Sequence, residues 1–399
     1  MLLAVSMLNY VAPLILIPFL ARTLGVELYG VYAFGVSLYL MALIVIDYGF
    51  PIHGLYSISE HRNDPERVGR LLGSMLAIKL GLFVVLGALL TTLVWFSERY
   101  VEHRLFLSLT TLPLLGAVLQ FRWVFQAVEQ SVKIFYYMAA GRILHVVLVI
   151  ALVAGPEDYL WVPISQGIAM ILSGMVCIGM IRRLGYQFQM PGWDDVREQL
   201  RGAASYFWVK IAGAHLSFAG VFSLGLVGSP AKVALYGSAE QVYRAIYAAY
   251  EPFYEALTAY TKRTNDVRMV RRLFAVVFGG TVLLGVLGMV LAPYLIDLLF
   301  GAAFAGATQN LQILLFGLLL GVPSGMISYP LLGSMGCGPQ INRVIILSAI
   351  ATLSVLGLLW HGNMLSGTAV ALTMVASEAF KLSGLLLLLR RVRFQSQFA

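Results

Sequence analysis

The sequence predicts an all-α polytopic membrane protein with about twelve transmembrane helices in two pseudo-symmetric six-helix bundles. Three observations lead there. Of 399 residues, 60% are hydrophobic and only 12% charged, a balance that the water-exposed surface of a globule does not carry. The apolar residues fall into long runs, most of them near the ~20 residues that a membrane-crossing helix needs. The basic residues concentrate in alternate gaps between those runs.

The runs lie near 2–21, 30–52, 71–96, 105–126, 134–154, 160–181, 203–228, 233–259, 273–299, 307–333, 344–361 and 364–389. One set of gaps holds Arg62, Arg67, Arg70, Arg122, Lys133, Arg182, Arg183, Arg197, Arg201, Lys262, Arg263, Arg268, Arg271, Arg272 and Arg343, with Arg390, Arg391 and Arg393 after the last run. The opposite gaps hold Arg22, Arg99, Arg104 and Lys232. Eighteen against four places both termini on the cytoplasmic side, because basic segments beside a span resist translocation. The formal net charge of +8 follows from this topology and does not point to nucleic acid. No basic residue precedes the first run, no small-residue cleavage pattern follows it, and Pro13 and Pro18 interrupt it. It therefore reads as a retained span rather than a cleaved signal peptide. Cys177, in an apolar run, and Cys337, in a cytoplasmic gap, form neither a disulfide framework nor a metal-ligand spacing.

The longest hydrophilic stretch separates six runs from six, dividing the chain into an N-terminal bundle (1–181), a cytoplasmic linker (182–202) and a C-terminal bundle (203–399). Within the linker, a Pro191-Gly192 turn precedes Asp194, which suits the cap of a short surface helix. The gap after the first run reads LGVELYG over 24–30, and the gap after the seventh reads VGSPAKVALYG over 227–237. Each ends in Tyr-Gly and is expected to open a helix. The charged connectors over 61–70 and 262–272 also correspond. Such internal similarity marks a duplicated transporter, its halves related by an axis along the membrane normal with a cleft between them.

The eighth run concentrates charge. Glu240, Arg244, Glu251 and Glu255 are spaced four, seven and four apart, within about 60° of arc on one helix face at ~100° per residue. Tyr243, Tyr247, Tyr250 and Tyr254 run beside them, and Pro252 loosens the nearby backbone hydrogen bonds. An ionisable group at mid-membrane costs ~2.5–3.5 kcal/mol on insertion scales, so this face lines protein or water. Two readings follow. In one, it is a wet cavity wall for an anionic, hydroxyl-rich ligand: Arg244 for phosphate, tyrosine rings for sugar faces, a carboxylate for ion exchange. In the other, it is a salt-bridge ladder in which Glu240 and Arg244 neutralise each other and Glu255 reaches cytoplasmic water.

Further ionisable groups inside apolar runs are Lys79, Arg142, His145, Lys210, His215, Glu378 and Lys381. Lys79 either snorkels to the inner surface or pairs across the fold with Asp47, near the cytoplasmic end of the second run. Glu378 and Lys381 stand at i, i+3, where they pair. His145 and His215 read as structural residues satisfying backbone carbonyls. Arg142 and Lys210 have no acidic residue within a turn and need partners elsewhere. With Arg244 they place cations on both halves, which suits a phosphate-bearing ligand. Asp47, Glu240, Glu251, Glu255 and Glu378 are the candidate ion-coupling carboxylates. No phosphate-binding glycine loop, metal-ligand cluster or nucleophile motif is present, so no cofactor is expected and an ATP-driven pump is set aside. The outer gaps are too short for a membrane glycosyl-transfer enzyme.

At this point the sequence resembles the Wzx-type flippases for O-antigen and other polysaccharide repeat units, within the superfamily that also holds the multidrug and lipid II exporters. The resemblance runs the full length. It is carried by Asn9-Tyr10 with Pro13 and Pro18, LARTLG over 20–25, Tyr29-Gly30, DYGF over 47–50, and WVFQAVE over 123–129. The GRIL segment around Arg142, YGSAEQVYRA over 236–245 and the SEAF stretch at Glu378 add to it. The resemblance implies two bundles in a V, as in the MATE exporters, and a multi-pass protein of the bacterial inner membrane. It implies an undecaprenyl-pyrophosphate-linked oligosaccharide moved from the cytoplasmic to the periplasmic leaflet by alternating access, with coupling to a proton or sodium gradient. Membrane lipid, a polysaccharide polymerase and chain-length proteins are the implied partners. Arg142 and Arg244 fall in family-like segments and take from them a cationic cavity role; Lys210 rests on the bottom-up argument. The chain departs from the family in starting directly at its first span, without the usual short basic lead. It also has Leu216-Ser217-Phe218 where relatives often carry an acid, which displaces the coupling carboxylate to Glu240 or Glu251. Two other functions compete: a MATE-like exporter of amphipathic cationic drugs, which the acidic and aromatic eighth run also suits, and a non-transporting scaffold for a glycan assembly complex.

Overall fold

Apolar runs with few charges become long helices, and where they break, a specific residue is responsible. A computed structural model describes the backbone over residues 2–214, 218–264 and 267–397, and the side chains over 15–213, 218–264, 269–270 and 272–392. Among the described residues every regular element is helical. α1 (Leu2–Asp47) joins the first two expected spans, for only Gly25 departs from helical geometry, at φ 73°. A glycine reaches that left-handed region without the Cβ clash other residues meet. The segment over 24–30 is therefore a kink rather than a loop.

α1 ends at Asp47, where Tyr48 (φ 41°) and Gly49 (φ 78°) turn left-handed. α2 (Phe50–Glu60) restarts with proline in its first turn. α3 (Pro65–Trp95) is capped by the Asp64 carboxylate, which accepts a hydrogen bond from the Arg67 N–H; such a cap contributes about 1 kcal/mol. The expected fourth span is broken into α4 (Arg104–Leu109), α5 (Leu112–Val118) and α6 (Arg122–Ala127). The Thr110 and Thr111 hydroxyls donate to carbonyls three residues back, offering the backbone an alternative to the helix. Pro113 then supplies no N–H of its own.

α7 (Val132–Leu152) and α8 (Trp161–Arg183) are uninterrupted. α9 (Trp193–Ala214) corrects the expected linker helix: no separate surface helix forms, because the polar residues of 193–202 are the first turns of one continuous rod. Its leading turn is held by Asp195, which accepts from the Gly192 N–H, rather than by Asp194. α10 (Ala219–Val227) and α11 (Pro230–Ala248) follow. Tyr236-Gly237 lies inside α11, as Tyr29-Gly30 lies inside α1, so neither pair opens a helix. The expected eighth span divides between α11 and α12 (Glu251–Thr264). Pro252 has no N–H to give the preceding turn, and its ring crowds the carbonyl four residues back. α13 (Val267–Phe300), α14 (Thr308–Met326), a π-helical stretch over Ile327–Gly333, α15 (Gly338–His361) and α16 (Gly367–Gln397) complete the chain.

Among the described residues, nine helical stretches are long and apolar enough to cross a membrane, making this a multi-pass membrane protein. The difference from twelve has a physical origin. The first two spans run together through Gly25. The stretches over 203–228 and 233–259 are each broken in two, and the second carries four of the chain's intramembrane charges.

The chain forms two compact units, Met1–Ile211 and Ala212–Ala399. The first is built around Phe50, Met75, Phe121, Trp123, Phe125 and Tyr137. The second is built around Leu257, Met326, Leu332, Ile341 and Leu385. Helices in lipid gain little from apolar burial, so close backbone approach matters more. On α5 and α8, Gly116 faces the Met170 backbone and Gly167 the Leu112 side chain, which lets those helices meet closely.

The segment between α8 and α9 is strapped to α3 in the same way. The Gln189 N–H donates to the Gly69 carbonyl at 3.1 Å, and a Cβ on Gly73 would run into the Gln189 carbonyl oxygen. We expect Gly73→Ala to destabilise the purified protein by about 1–3 kcal/mol, the usual cost of overpacking. Gly81→Ala, on the same helix with open space around it, should leave the melting temperature in detergent unchanged or slightly raised. Equal melting temperatures for the two variants would remove the strap.

Candidate functional site

The first unit buries a charge cluster where two helix breaks meet, the end of α1 and the gap between α5 and α6. Asp47, at the end of α1, receives Lys210 from α9 at 3.1 Å on Oδ2 and Lys79 from α3 at 3.5 Å on Oδ1. The two alternatives for Lys79 are thereby decided: it pairs with Asp47 and does not snorkel, its side chain being 0% exposed. Its ammonium also donates to the Ala117 carbonyl at 2.8 Å and to that of Gln120 at 3.0 Å. Those carbonyls lie at the break between α5 and α6, where that of Ala117 also accepts from the Gln120 N–H at 3.2 Å. Lys79 further sits over the rings of Phe121 and Trp123, 5.1 and 5.0 Å from their centroids, contacts of about 0.5–2 kcal/mol each.

Lys210 finds its partner across the unit rather than within a turn, and at 30% side-chain exposure it retains access to a ligand. Arg122, exposed at the start of α6, adds a further positive charge to the surroundings of Asp47. Arg142, on α7, is partly buried; among the described residues no ion pair or hydrogen bond engages it. Tyr39, on α1, lies within electrostatic reach of both Arg142 and Asp47. Lys79, Arg122 and Lys210 thus surround one carboxylate with an excess of positive charge. His145 leaves Nδ1 without a hydrogen bond among the described residues, so the expected backbone carbonyl is not met there. His215, with Leu216 and Ser217, lies outside the described residues.

In the second unit, the single charged face expected of the eighth span is divided by the break after Ala248. On α11, Glu240 is almost fully buried and lies 3.6 Å from Arg244. It accepts from the Tyr236 hydroxyl at 3.3 Å. Arg244, 28% exposed along its side chain, also donates to Gln241 at 2.7 Å. Glu378, buried on α16, is held by Lys381 at 2.7 Å on Oε2 and 2.8 Å on Oε1, the i, i+3 pairing that their spacing implies. Glu240, Tyr243 and Glu378 line a small void of about 20 Å³, room for one water.

Beyond the break a larger cavity opens within the second unit, about 670 Å³ in volume, inside the about 300–1,000 Å³ common for small-molecule sites. Tyr247, Glu251, Tyr254, Glu255 and Lys381 line it, whereas Arg244 and Tyr243 do not. The tyrosine stripe becomes two pairs, Tyr243 with Tyr247 at 6.0 Å and Tyr250 with Tyr254 at 6.3 Å between ring centroids. The Tyr250 hydroxyl meets Thr281 Oγ1 at 3.0 Å, on α13. Sequence reasoning missed the opposite wall, made by Ser324, Ser328 and Tyr329. The signal was present in Pro323 and Pro330, which break the apolar run over 307–333 and expose irregular backbone of the kind that lines membrane cavities.

The family model for polysaccharide biosynthesis protein matches residues 1–260. The chain belongs to the polysaccharide biosynthesis protein family. Similarity extends along the whole chain to the "Putative O-antigen transporter" of Escherichia coli (strain K12), 21% identical over 392 residues, covering 96% of this chain and 93% of that one. The protein of the same name from Shigella dysenteriae is 22% identical, covering 86% and 88%. The resemblance to Wzx-type polysaccharide transporters is thereby borne out. This family member also has the fold of the lipid II flippase MurJ in its inward closed conformation (TM-score 0.81, 12% identity, covering 98% of this chain and 88% of that one). An inward-facing multidrug resistance MATE family transporter of the MOP superfamily superposes with TM-score 0.70 at 16% identity, covering 97% and 99%.

Because Lys79 is fully enclosed and serves three acceptors while Lys210 is partly exposed, the two lysines should differ in their effect on stability. Lys79→Met leaves buried acceptors unpaired and should cost about 3–5 kcal/mol; Lys210→Met should cost about 1 kcal/mol or less. Thermal unfolding of the two purified variants checks this, and a larger loss for Lys210→Met would contradict it.

Proposed function

We propose that this protein is a flippase that moves an undecaprenyl-pyrophosphate-linked oligosaccharide, an O-antigen or exopolysaccharide repeat unit, from the cytoplasmic to the periplasmic leaflet of the bacterial inner membrane. It is a transporter rather than an enzyme. The chain crosses the membrane twelve times with both termini cytoplasmic, and its halves, 1–181 and 203–399 joined by the linker 182–202, alternate access under an ion gradient. A polysaccharide polymerase and chain-length proteins receive the product.

The observation that carries this reading is that each unit keeps a partly exposed cation beside a buried carboxylate, Lys210 by Asp47 and Arg244 by Glu240. Burying such groups is expensive, and although each is paired, 30% of the Lys210 side chain and 28% of that of Arg244 stay open. Full-length similarity to proteins named as O-antigen transporters supports it. While the polyprenyl tail stays in lipid, Arg142, Lys210 and Arg244 replace the water lost by the pyrophosphate, and Tyr243, Tyr247, Tyr250 and Tyr254 offer rings and hydroxyls to the sugars. Asp47, Glu240, Glu251, Glu255 and Glu378 are the groups on which the coupling ion is exchanged.

A charge-assisted hydrogen bond contributes about 1.5–3 kcal/mol, so Arg142→Gln and Arg244→Gln should each lower surface polymer roughly ten- to hundredfold in a deletion strain. Membrane levels should stay normal, and Arg22→Gln should complement fully. Wild-type polymer from both glutamine variants would remove the assigned roles. A second reading, export of amphipathic cations, draws support from Glu251 and Glu255 in the cavity wall. It predicts that deletion sensitises cells to cationic amphiphiles while surface polymer is unchanged.

A further inference from the structure

The segment between α8 and α9 takes no regular structure over 186–192, yet it packs onto the buried charge cluster of the first unit. Phe188 meets the ring of Phe121 edge-on, 5.3 Å between centroids. Phe121 in turn has the Lys79 ammonium 5.1 Å from its ring centroid and donates its N–H to Cys177 Sγ at 3.4 Å. The Lys79 side chain and Cys177 are fully buried, whereas Gln187 and Met190 are exposed. The segment is the layer between solvent and Phe121, and through Phe121 it covers Lys79.

Its hold on the unit is slight. The Gln189 N–H bonds to the Gly69 carbonyl, and the Tyr186 hydroxyl donates to the Arg62 carbonyl at 2.8 Å. Among the described residues the N–H groups of Gln187, Phe188 and Met190 make no backbone bond, so water serves them, and such a stretch does not sit in hydrocarbon. Residues 186–192 carry no charge, so lifting them separates no ion pair. Gly185, left-handed at φ 92° with open space around it, bounds the segment at one end and Pro191-Gly192 at the other. Few bonds and an exposed backbone mark the parts of a protein that open first.

Asp47 is open on one side already: its Oδ2 faces Lys210, 30% exposed, while its Oδ1 faces the enclosed Lys79. We infer that 185–192 is a hinged lid over the Lys79 face of this pair, and that lifting it admits water, and an ion with it, to Asp47 by a second way that needs no separation of helices. Glycines seat the lid when it is closed, for the Gln187 carbonyl lies against Gly69 and the Gln189 carbonyl against Gly73. The lid stands on these contacts; only the use of Asp47 for ion exchange rests on the function proposed above.

The chain supplies its own reporters, because Cys177 lies one layer behind Phe121 and Cys337, in the second unit, is buried too. Purified full-length protein in nanodiscs is treated with a water-soluble methanethiosulfonate, and modification of each cysteine is followed by peptide mass spectrometry. Gly73→Ala, which unseats the lid, should speed modification of Cys177 about 5- to 150-fold, the equivalent of the destabilisation expected for it. Phe188→Ala should speed it at least about tenfold, and Cys337 should stay within about threefold of its wild-type rate in both variants. Unchanged Cys177 rates in both variants overturn the inference. So do Cys177 and Cys337 rates that rise together, which is loosening of the whole protein. Hydrogen exchange in the wild type needs no variant: the Gln189 amide, although bonded to Gly69, should exchange at least about tenfold faster than the amides of the α3 turns beneath it, and equal protection overturns the lid. None of these readouts depends on export, so failure of the flippase reading would leave them in place.

Discussion

The ammonium of Lys79 is the point on which the first unit depends. A lysine in the middle of an apolar helix is tolerated only if its three protons and its charge are all satisfied. Here they are met by Asp47 and by the carbonyls of Ala117 and Gln120. Each of those acceptors exists because a helix stops. α1 ends at Asp47 ahead of two left-handed residues, and the two carbonyls lie at the α5–α6 break. One side chain thus makes two interruptions affordable in a medium that offers no water to repair them. Lys210 joins from α9, so the helix leading out of the first unit is tied to the same carboxylate.

Asp47 is shared between an enclosed lysine and a more exposed one, with Arg122 nearby, and positive charge is left over. In lipid, excess charge is retained at a cost and implies a compensating partner that comes and goes. In the second unit Arg244 and Lys381 are held by Glu240 and Glu378, while its cavity presents tyrosines, serines, carboxylates and Lys262. A ligand with an anionic part and a hydroxyl-rich part suits the two environments in turn.

Much of the fold was legible in the sequence, because apolar runs of helical length leave little choice in a membrane. The breaks were less so. Pro252 announced the α11–α12 division, but the merging of the first two spans at Gly25 depends on a single residue taking φ 73°, which the polar segment over 24–30 disguised. The fragmentation of the fourth span was hidden because threonine hydroxyls and Pro113 act together with Lys79, 38 residues from Ala117 in the chain. Among the site residues, Glu378 with Lys381 could be read from their spacing. The partner of Lys210 could not, for Asp47 lies 163 residues away. The stripe of Glu240, Arg244, Glu251 and Glu255 was read as one face because periodicity takes no account of a turn, and the wall of Ser324, Ser328 and Tyr329 was overlooked because serines in an apolar run resemble helix-packing residues.

The most direct test of the central claim is where lipid-linked repeat units accumulate when the protein is deleted. Leaflet-specific labelling of undecaprenyl-pyrophosphate-linked oligosaccharide in intact and permeabilised cells gives that distribution. The account predicts build-up on the cytoplasmic leaflet that is relieved when the wild-type protein is restored. An unchanged distribution between the leaflets, with the repeat unit still synthesised, would contradict it.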